Sequence, residues 1–473
     1  MKVILMVADT LRRDHLGCYG NRWIHTPGLD RLAQEAAVFE HAYIGSFPTV
    51  PNRRDTFLGH GDTGQPFNRW RGFDPDETTL TERLAEKRIP SMMITDVANT
   101  VSHGVNLYRG FTAWSWNRGQ EGDPCWLDDG VPLRFPVDRG LIRYSAARWH
   151  QVLVNRAGRK VEEDWFAPGT YAMAIKWLER NYRRNDFFLY IDSFDPHEPW
   201  DPPKWYEDLY DSGFRGRRFD APTYGIVKKL GYTRREMQNI RARYAGEVSM
   251  VDRCVGRLLQ TLERLGIYQD TLIVFTSDHG TYLDYPGDNG MVCKGSALGA
   301  DGRLWAAGRG AKEPVQYLPH WTGVCRIPLI VRVPGQHTGA RIGAITQPWD
   351  LAPTILDAFG IPKPSALWGQ SVLPLIEGRS RPARSAAVLG NAHHAQVMTD
   401  HWLYAVWRGH RPKVLYDLRS DPKQARNVAG AHPRVVTRLH RYVEAHLRRQ
   451  GLDSLTEEYQ SSVGARQQVG GPA

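Results

Sequence analysis

The chain is organised around one short stretch, Thr49-Val50-Pro51-Asn52-Arg53. A helix is predicted from Asn52 to Leu58, with Thr49 as its cap and Pro51 in its first turn. A helix N-terminus offers unpaired N–H groups and the positive end of the helix dipole, so it attracts a tetrahedral anion. A hydroxyl placed there becomes a nucleophile when a cation lowers its pKa, and Arg53 adds a forked donor one turn away. A Thr before a Pro is usually only a cap, so the functional interpretation depends on the rest of the chain.

Length and composition describe a globular chain without a membrane span. The chain has 473 residues, which predicts two domains, and its 41% hydrophobic and 24% charged content is typical of soluble proteins. The longest apolar runs, such as Val3 to Ala8, are far shorter than the roughly 20 residues that a membrane helix needs. The apolar start also ends too early, at Asp9, for a secretion signal. It predicts a buried first strand and a cytoplasmic protein.

Cysteine content and charge exclude several classes of site. The five cysteines are scattered without CxxC spacing, which argues against a disulfide framework and against a cysteine zinc site. The net charge of +10 comes from arginines mixed with acidic residues, and the basic cluster at residues 434–449 has the spacing of a solvated helix face. This charge favours anionic substrates or surfaces in general, and a small anionic ester is the expected partner. No nucleic-acid recognition motif accompanies it, and a homo-oligomer is left open.

Strands and helices alternate along most of the chain. Strands are predicted at residues 2–8, 90–95, 187–192, 271–276 and 327–333, and helices from Thr26-Pro27 onward and at residues 79–87, 171–182 and 234–265. This alternation predicts an α/β fold with a doubly wound, mostly parallel sheet that helices flank on both faces.

Three regions depart from this pattern. Residues 105–165 are rich in Trp and Arg and have little periodicity. Such a long insertion is either functional, for example as a lid, or a surface excursion packed by its own tryptophans. Residues 281–322 are also irregular. After residue 375, four short strands and a helix at 433–448 predict a small antiparallel domain. We therefore expect a catalytic domain at 1–375, a second domain at 376–460, and a disordered tail at 461–473.

Polar residues follow the predicted strands at their carboxyl ends. Asp9 ends the first strand, Asp278 and His279 follow the strand at 271–276, and Asp195 and His197 follow the strand at 187–191. Because ligands bind at the carboxyl edge of a parallel sheet, we expect these groups to converge there.

The residue types at this edge suit one divalent cation. Two aspartates, a histidine and a hydroxyl, that of Thr49, provide ligands for Ca²⁺, Mg²⁺ or Mn²⁺, and the imidazole favours Mn²⁺. Taken singly, each residue is explained as well by an ordinary turn or cap. An ordinary turn or cap does not explain why all of them are expected at the same edge of the sheet.

Ordered motifs along nearly the whole chain resemble the sulfatase family, within the alkaline phosphatase superfamily. The motifs are the following: Asp9-Thr10-Leu11-Arg12-Arg13-Asp14-His15-Leu16-Gly17-Cys18-Tyr19-Gly20; Thr49-x-Pro51-x-Arg53 followed by Phe57-Leu58-Gly59; Phe194-Asp195-Pro196-His197-Glu198-Pro199-Trp200; Tyr244-Ala245-Gly246-Glu247-Val248 with Val251-Asp252; Ser277-Asp278-His279-Gly280; Arg326-Ile327-Pro328-Leu329-Ile330; Asp350-Leu351-Ala352-Pro353-Thr354-Ile355-Leu356-Asp357; and Leu415-Tyr416-Asp417-Leu418 with Asp421-Pro422. The resemblance implies an alkaline phosphatase-like fold and a metal-dependent hydrolase of anionic esters.

The resemblance also implies roles for individual residues. It implies Asp9, Asp278 and His279 as metal ligands, with Thr49 at the position of the nucleophile and in contact with the metal. Arg53 would hold both the nucleophile and the bound anion.

Further residues are implied around the substrate. His197 would contact the leaving-group oxygen, and Lys294 would contact a non-bridging oxygen. The loop around Lys294 departs from the family's usual form, so Lys312 is an alternative. Asn99 and His103 lie where the family often has pocket residues.

Thr49 is the departure from the family pattern that bears on function. Sulfatases convert a Cys or Ser at this position to formylglycine, whose aldehyde chemistry expels sulfate. A Thr cannot be converted by that route, whereas related phosphoryl-transfer enzymes use an unmodified Thr or Ser. We therefore expect a phosphodiester or phosphonate monoester hydrolase. The alternatives are a sulfuric ester hydrolase with unmodified Thr49 and a non-catalytic anion-binding protein.

Overall fold

A computed structural model of the protein describes residues 1–63, 70–102, 104–304, 316–382, 384–392, 394–407, 413–453 and 455. Two of the predicted pocket residues, His103 and Lys312, lie outside these ranges, as does the predicted tail at 461–473. No helix among the described residues is long and apolar enough to cross a membrane.

The described residues form seventeen strands and thirteen α-helices. The strands are β1 (Lys2–Ala8), β2 (Ala37–Ala42), β3 (Ser91–Thr95), β4 (Ala113–Trp116), β5 (Phe187–Ser193), β6 (Gly225–Ile226), β7 (Thr271–Ser277), β8 (Tyr282–Leu283), β9 (Met291–Cys293), β10 (Ala297–Leu298), β11 (Gln316–Tyr317), β12 (Leu329–Arg332), β13 (Ala340–Thr346), β14 (Ala387–Asn391), β15 (His394–Met398), β16 (Trp402–Trp407) and β17 (Lys413–Asp417). The helices are α1 (Pro27–Gln34), α2 (Thr49–Leu58), α3 (Leu80–Glu86), α4 (Ala98–Val101), α5 (Ala146–Arg156), α6 (Phe166–Asn181), α7 (Lys204–Asp211), α8 (Val227–Leu230), α9 (Arg234–Arg264), α10 (Thr322–Cys325), α11 (Leu351–Ala358), α12 (Leu373–Ile376) and α13 (Pro433–Arg449).

The main sheet has eight strands in the order β13-β2-β12-β7-β1-β5-β3-β4. The first strand, β1, pairs in parallel with both β5 and β7, while β12 runs antiparallel to its two neighbours. The predicted mostly parallel sheet is therefore confirmed. Because β1 is central and covered on both faces, every residue after Lys2 is buried, as its continuous apolar sequence indicated.

Two hydrophobic cores lie on the two faces of this sheet. Along β1, Ile4 and Met6 belong to one core while Val3 and Leu5 belong to the other, as the alternation of a strand requires. The first core contains the apolar stripe of α9, and the second contains the buried faces of α2, α3 and α11.

The C-terminal strands β14 to β17 form the predicted small antiparallel sheet. One face packs against α13 through Leu439, Val443 and Leu447. The other face contributes Ala405 and Trp407 to the second core of the main sheet. The domain boundary near residue 375 stays a prediction.

The stretch at 105–165 is more regular than the sequence indicated. It contains the edge strand β4 and the helix α5, which is capped by Ser145 and buries Trp149 and Val152. The prediction missed α5 because tryptophan, histidine and two valines lower its intrinsic helix propensity. The stretch at 281–322 holds, among its described residues, short strands of two or three residues and the four-residue α10.

Candidate active site

Three potential metal ligands meet at the carboxyl edge of the main sheet. Asp9 follows β1, and Asp278 and His279 follow β7, whose Ser277 lies opposite Ala8 of β1. One ligand atom from each of these three side chains lies within 4.8 Å of the others, and all three side chains are buried. Of the groups expected to converge from the strand ends, these three meet in the structure.

The donor atoms of this cluster suit a divalent cation. The imidazole Nδ1 of His279 donates to the carbonyl oxygen of Gly280 at 3.1 Å, which leaves Nε2 with a free lone pair. Within the described part of the chain, neither this Nε2 nor Oδ2 of Asp9 has a hydrogen-bond partner, although both atoms are buried. Buried acceptors without donors are costly unless a cation occupies the space between them, so the residues fit a bound metal.

Protonation at the cluster follows from burial and neighbouring charge. Burial raises the pKa of Asp9, and the nearby Asp278 carboxylate raises it further. Burial also raises the pKa of Asp278, but His279 and Arg53 outweigh it and hold that pKa below its usual range. Burial lowers the pKa of His279 to about 4, so its imidazole is neutral at pH 7, as a metal ligand must be.

Arg53 joins the cluster to helix α2. Its guanidinium donates from Nε and Nη2 to Asp192 at 2.9 and 2.7 Å and from Nη1 to Asp278 at 2.7 Å, and Nη2 lies 3.2 Å from Oδ2 of Asp9. Nη1 also donates to the carbonyl oxygen of Thr49 at 3.1 Å. The donors of Arg53 therefore point at three carboxylates, two of them predicted metal ligands, and at the start of the helix.

Thr49 is the first residue of α2. The structure corrects the prediction that Thr49 caps this helix, because Pro48 occupies the N-cap position and no side chain caps the N-terminus. Thr49 is 3% exposed, and its side chain makes no hydrogen bond within the described ranges. Its hydroxyl is thus free of the capping role that would otherwise have occupied it.

Lys294 belongs to the site through a residue that sequence reasoning missed. Its ammonium donates to the hydroxyl of Thr10 at 2.9 Å, and that hydroxyl donates to Oδ1 of Asp9 at 2.7 Å. The backbone N–H of Thr10 also donates to Asp278 at 2.9 Å. Thr10 has φ 65°, a conformation that a β-branched residue rarely adopts. It thereby links the lysine to two of the predicted ligands.

His197 lies after β5 at the same edge of the sheet and is buried. Its Nδ1 donates to the carbonyl oxygen of Glu198 at 2.6 Å, and its ring stacks on Phe194 with centroids 4.1 Å apart. Burial lowers the pKa of His197 well below its ordinary value, and the positive charge of Lys294 lowers it further. In the free protein the imidazole is therefore neutral, with the lone pair on Nε2.

Part of the surroundings of His197 comes from the 105–165 stretch. Arg143 forms an ion pair with Glu198, and Tyr224 donates to the same carboxylate. The charges of Glu121 and Arg143 both act on the pKa of His197. This stretch therefore contributes to the site, in the way that a functional insertion does.

Asn99 and Asp195 lie near the edge without joining the cluster. Asn99 is half-buried in α4, which follows β3, and its side chain makes no hydrogen bond to described residues. Asp195 accepts a hydrogen bond from the N–H of Ala167 at the start of α6. Asp195 is therefore part of the support of the loop that carries His197.

Sequence reasoning missed Thr10, Asp192 and Glu121. Asp192 could have been identified from the sequence, because it is an acidic residue in an otherwise apolar strand, close to the carboxyl end of that strand. Thr10 follows a predicted ligand directly, but its strained backbone has no sequence signature. Glu121 lies in a region without periodicity, so its position depends on tertiary packing alone.

The chain is similar to known proteins over most of its length. The family model described as "Sulfatase" matches residues 2–361, and the model described as "N-sulphoglucosamine sulphohydrolase, C-terminal" matches residues 321–450. An arylsulfatase from Clostridium perfringens is 25% identical, with 90% of this chain and 89% of that protein covered. The multifunctional alkaline phosphatase superfamily protein PehA from Trinickia caryophylli is also 25% identical, over 90% of this chain and 91% of its own length.

Among solved structures, a phosphonate monoester hydrolase from Agrobacterium radiobacter superimposes with a TM-score of 0.71 at 22% identity. The match covers 96% of each chain. At this identity the similarity establishes the fold and leaves the substrate open.

Proposed function

Because the chain belongs to the sulfatase family, whose members are metal-dependent ester-bond hydrolases, we propose that it cleaves a phosphodiester or a phosphonate monoester through a covalent intermediate on unmodified Thr49. A small anionic ester is the proposed substrate. The observation that carries the proposal is the position of Thr49 at the N-terminus of α2, where Arg53 ties its backbone to Asp278 of the metal cluster.

The proposed chemistry begins at the hydroxyl of Thr49. The hydroxyl proton passes to solvent as the oxygen attacks phosphorus, a new P–O bond forms, and the bond from phosphorus to the leaving-group oxygen breaks while His197 donates a proton to that oxygen. Water then attacks phosphorus in the threonine ester, the bond from phosphorus to the Thr49 oxygen breaks, and that oxygen takes up a proton to restore the hydroxyl. Formylglycine releases sulfate by returning to its aldehyde. The secondary alcohol of Thr49 has no such route, so a sulfate ester formed on Thr49 would be released slowly.

Asp9, Asp278 and His279 would hold the metal ion, with Mn²⁺ favoured by the imidazole and Ca²⁺ and Mg²⁺ as alternatives. When bound, a divalent cation supplies positive charge that lowers the pKa of a neighbouring hydroxyl. The hydroxyl of Thr49 is the group proposed to benefit, since it has no hydrogen bond to described residues that would compete.

His197 and Lys294 are proposed to contact the substrate. His197 would face the leaving-group oxygen through Nε2, because Nδ1 is used by Glu198. An anionic substrate beside it raises the pKa of His197 and favours the protonated form, which can then donate to the departing oxygen. Lys294, held by Thr10, would contact a non-bridging oxygen.

The nucleophile is tested by Thr49→Ala with Thr56→Ala as the matched control. Thr56 is also a buried threonine of α2, and its hydroxyl donates to the backbone of Asn52 at 3.1 Å, away from the cluster. Thr49→Ala should abolish turnover of an aryl phosphodiester and keep its bound metal, while Thr56→Ala keeps most activity. Intact-protein mass spectrometry should show residue 49 unmodified. Near-normal turnover by Thr49→Ala would mean that water is the nucleophile.

Sulfate ester hydrolysis by unmodified Thr49 is the second candidate, because arylsulfatases are among the similar proteins. Turnover of an aryl sulfate and an aryl phosphodiester by the same preparation separates the two functions. Faster sulfate turnover would favour the second candidate. Elemental analysis separates both from a non-catalytic anion-binding protein, which has no need of a stoichiometric metal.

A further inference from the structure

A cleft of about 810 Å³ opens beside the N-terminal half of α9. None of its lining residues belongs to the metal cluster or to the proposed substrate contacts. Its volume lies in the range typical of small-molecule sites, roughly 300–1,000 Å³. The residues used below line it: Asp14, His15, Trp23, Tyr210, Gln238 and Arg241, with Asp211, Arg235 and Tyr285 beside them.

Aromatic rings form one wall of the cleft. Trp23 is 48% exposed, and its ring lies against Tyr210 with centroids 4.8 Å apart. His15 stands edge-on to Trp23 and Tyr285, at 6.3 and 5.3 Å. A tryptophan that is half exposed in a concave surface offers a flat apolar platform to a ligand ring.

Each charged group of the cleft is paired with an opposite charge. Asp14 accepts from the buried Arg12 at 2.8 and 2.6 Å. Arg235 contacts both carboxylate oxygens of Asp211 at 2.6 Å, and Arg241 forms an ion pair with Asp284 at 3.3 Å. With its charges compensated in this way, the cleft has no excess charge to attract an ion, and its polar atoms favour a neutral hydrogen-bonding ligand.

One group is available for such a ligand. Gln238 is exposed on α9, and its amide makes no hydrogen bond to the residues that the structure describes. His15 is buried, with its Nδ1 2.9 Å from Asp14, and forms part of the wall.

We propose that this cleft is a second binding site, for a neutral saccharide whose ring stacks on Trp23 and whose hydroxyls bond to Gln238. A sugar ring has a flat apolar face and hydroxyl groups around its rim. The face matches the aromatic wall of the cleft, and the hydroxyls match its polar edge. The site is separate from the anionic ester that the metal cluster is proposed to cleave.

Binding is tested on the metal-loaded full-length protein with methyl glycosides of glucose, galactose and N-acetylglucosamine and with the corresponding disaccharides. Saturation-transfer NMR and tryptophan fluorescence report binding. Trp23→Ala should weaken it about tenfold, as removal of a central aromatic contact does. Gln238→Trp, which fills the cleft from an exposed helix position, should abolish it. Trp126→Ala is the matched control, because Trp126 is 67% exposed elsewhere on the surface.

The outcomes separate this proposal from the proposed function. Binding that is lost in the Trp23 and Gln238 variants and kept in Trp126→Ala and Thr49→Ala supports the cleft, whatever ester the enzyme cleaves. Absence of binding by every saccharide overturns the proposal. Unchanged binding in Trp23→Ala and Gln238→Trp also overturns it, and so does displacement of the saccharide by inorganic sulfate or phosphate at the cleft.

Discussion

Replacement of Arg53 by lysine tests whether this side chain organises the metal ligands. The substitution keeps one positive charge but removes the planar fork that reaches Asp192, Asp278 and Asp9 together. The neighbouring Arg54 provides a matched control. It is equally buried and pairs with Asp62 and Glu77, which lie outside the site.

The expected loss follows from the number of donors. An arginine has five N–H donors and a lysine three, so Arg53→Lys loses at least two hydrogen bonds to charged or buried acceptors. At about 1.5–3 kcal/mol for each bond to a charged group, the free energy of unfolding should fall by roughly 3 kcal/mol or more. Arg54 makes three such bonds, so Arg54→Lys should also lose stability, but by a smaller amount.

Metal affinity is where the two variants should differ. Loss of a group that orients metal ligands typically lowers affinity about 10–100-fold, and this should occur in Arg53→Lys alone. Chemical denaturation gives the stability, calorimetric titration with Mn²⁺ gives the affinity, and phosphodiester turnover gives the activity. If Arg53→Lys binds Mn²⁺ as tightly as the wild type, or if Arg54→Lys loses affinity to the same extent, Arg53 does not position the ligands.

Three further substitutions test neighbouring parts of the structure. Thr10→Val removes the hydroxyl between Lys294 and Asp9 and should lower kcat and Mn²⁺ affinity at least about tenfold. Thr10→Ser keeps the hydroxyl and should retain both. Equal losses in the two variants would point to backbone strain at residue 10 instead. His197→Ala should lose most activity on esters with poor leaving groups and less on activated aryl esters, and equal losses would assign His197 to substrate binding. Burial raises the pKa of Asp252 from 3.8 to about 7, so the folded protein retains a proton that the unfolded chain releases. Stability should therefore fall as pH rises from about 4 to 7, by up to about 1.4 kcal/mol per pH unit, and denaturation of Asp252→Asn should show that part of the profile flattened; an unchanged profile would refute this assignment.

The elements predicted best are those with a local signal. The long helix α9 has a sustained apolar stripe, and β1 is a continuous apolar run, so both were predicted within a residue of their bounds. Asp9, Asp278 and His279 could be placed together because strand ends share one edge of a parallel sheet.

Other parts depend on contacts that periodicity does not encode. Helix α5 is held by burial of Trp149 and by packing of the 105–165 stretch, against its weak intrinsic propensity. Thr10 joins Lys294 to Asp9 although nearly 300 residues separate the lysine from the other two. Such a link exists only after the loop behind β9 has folded over the edge of the sheet.

The net charge around the cluster restricts the charge of the substrate but does not distinguish sulfur esters from phosphorus esters. Asp9, Asp192 and Asp278 carry three negative charges when ionised. Arg53 contacts these carboxylates and Lys294 is linked to Asp9 through the Thr10 hydroxyl, so the two side chains add two positive charges. The balance is one negative charge, which a divalent cation would turn into one positive charge. A site of that charge suits a monoanion, and phosphodiesters, phosphonate monoesters and sulfate esters are all monoanions. A phosphate monoester, close to doubly charged at pH 7, fits less well. Since charge does not separate the three monoanions, the proposed preference for phosphorus rests on Thr49 alone: as the proposed nucleophile, its alcohol would be freed from phosphorus by water but would have no aldehyde route for releasing sulfate.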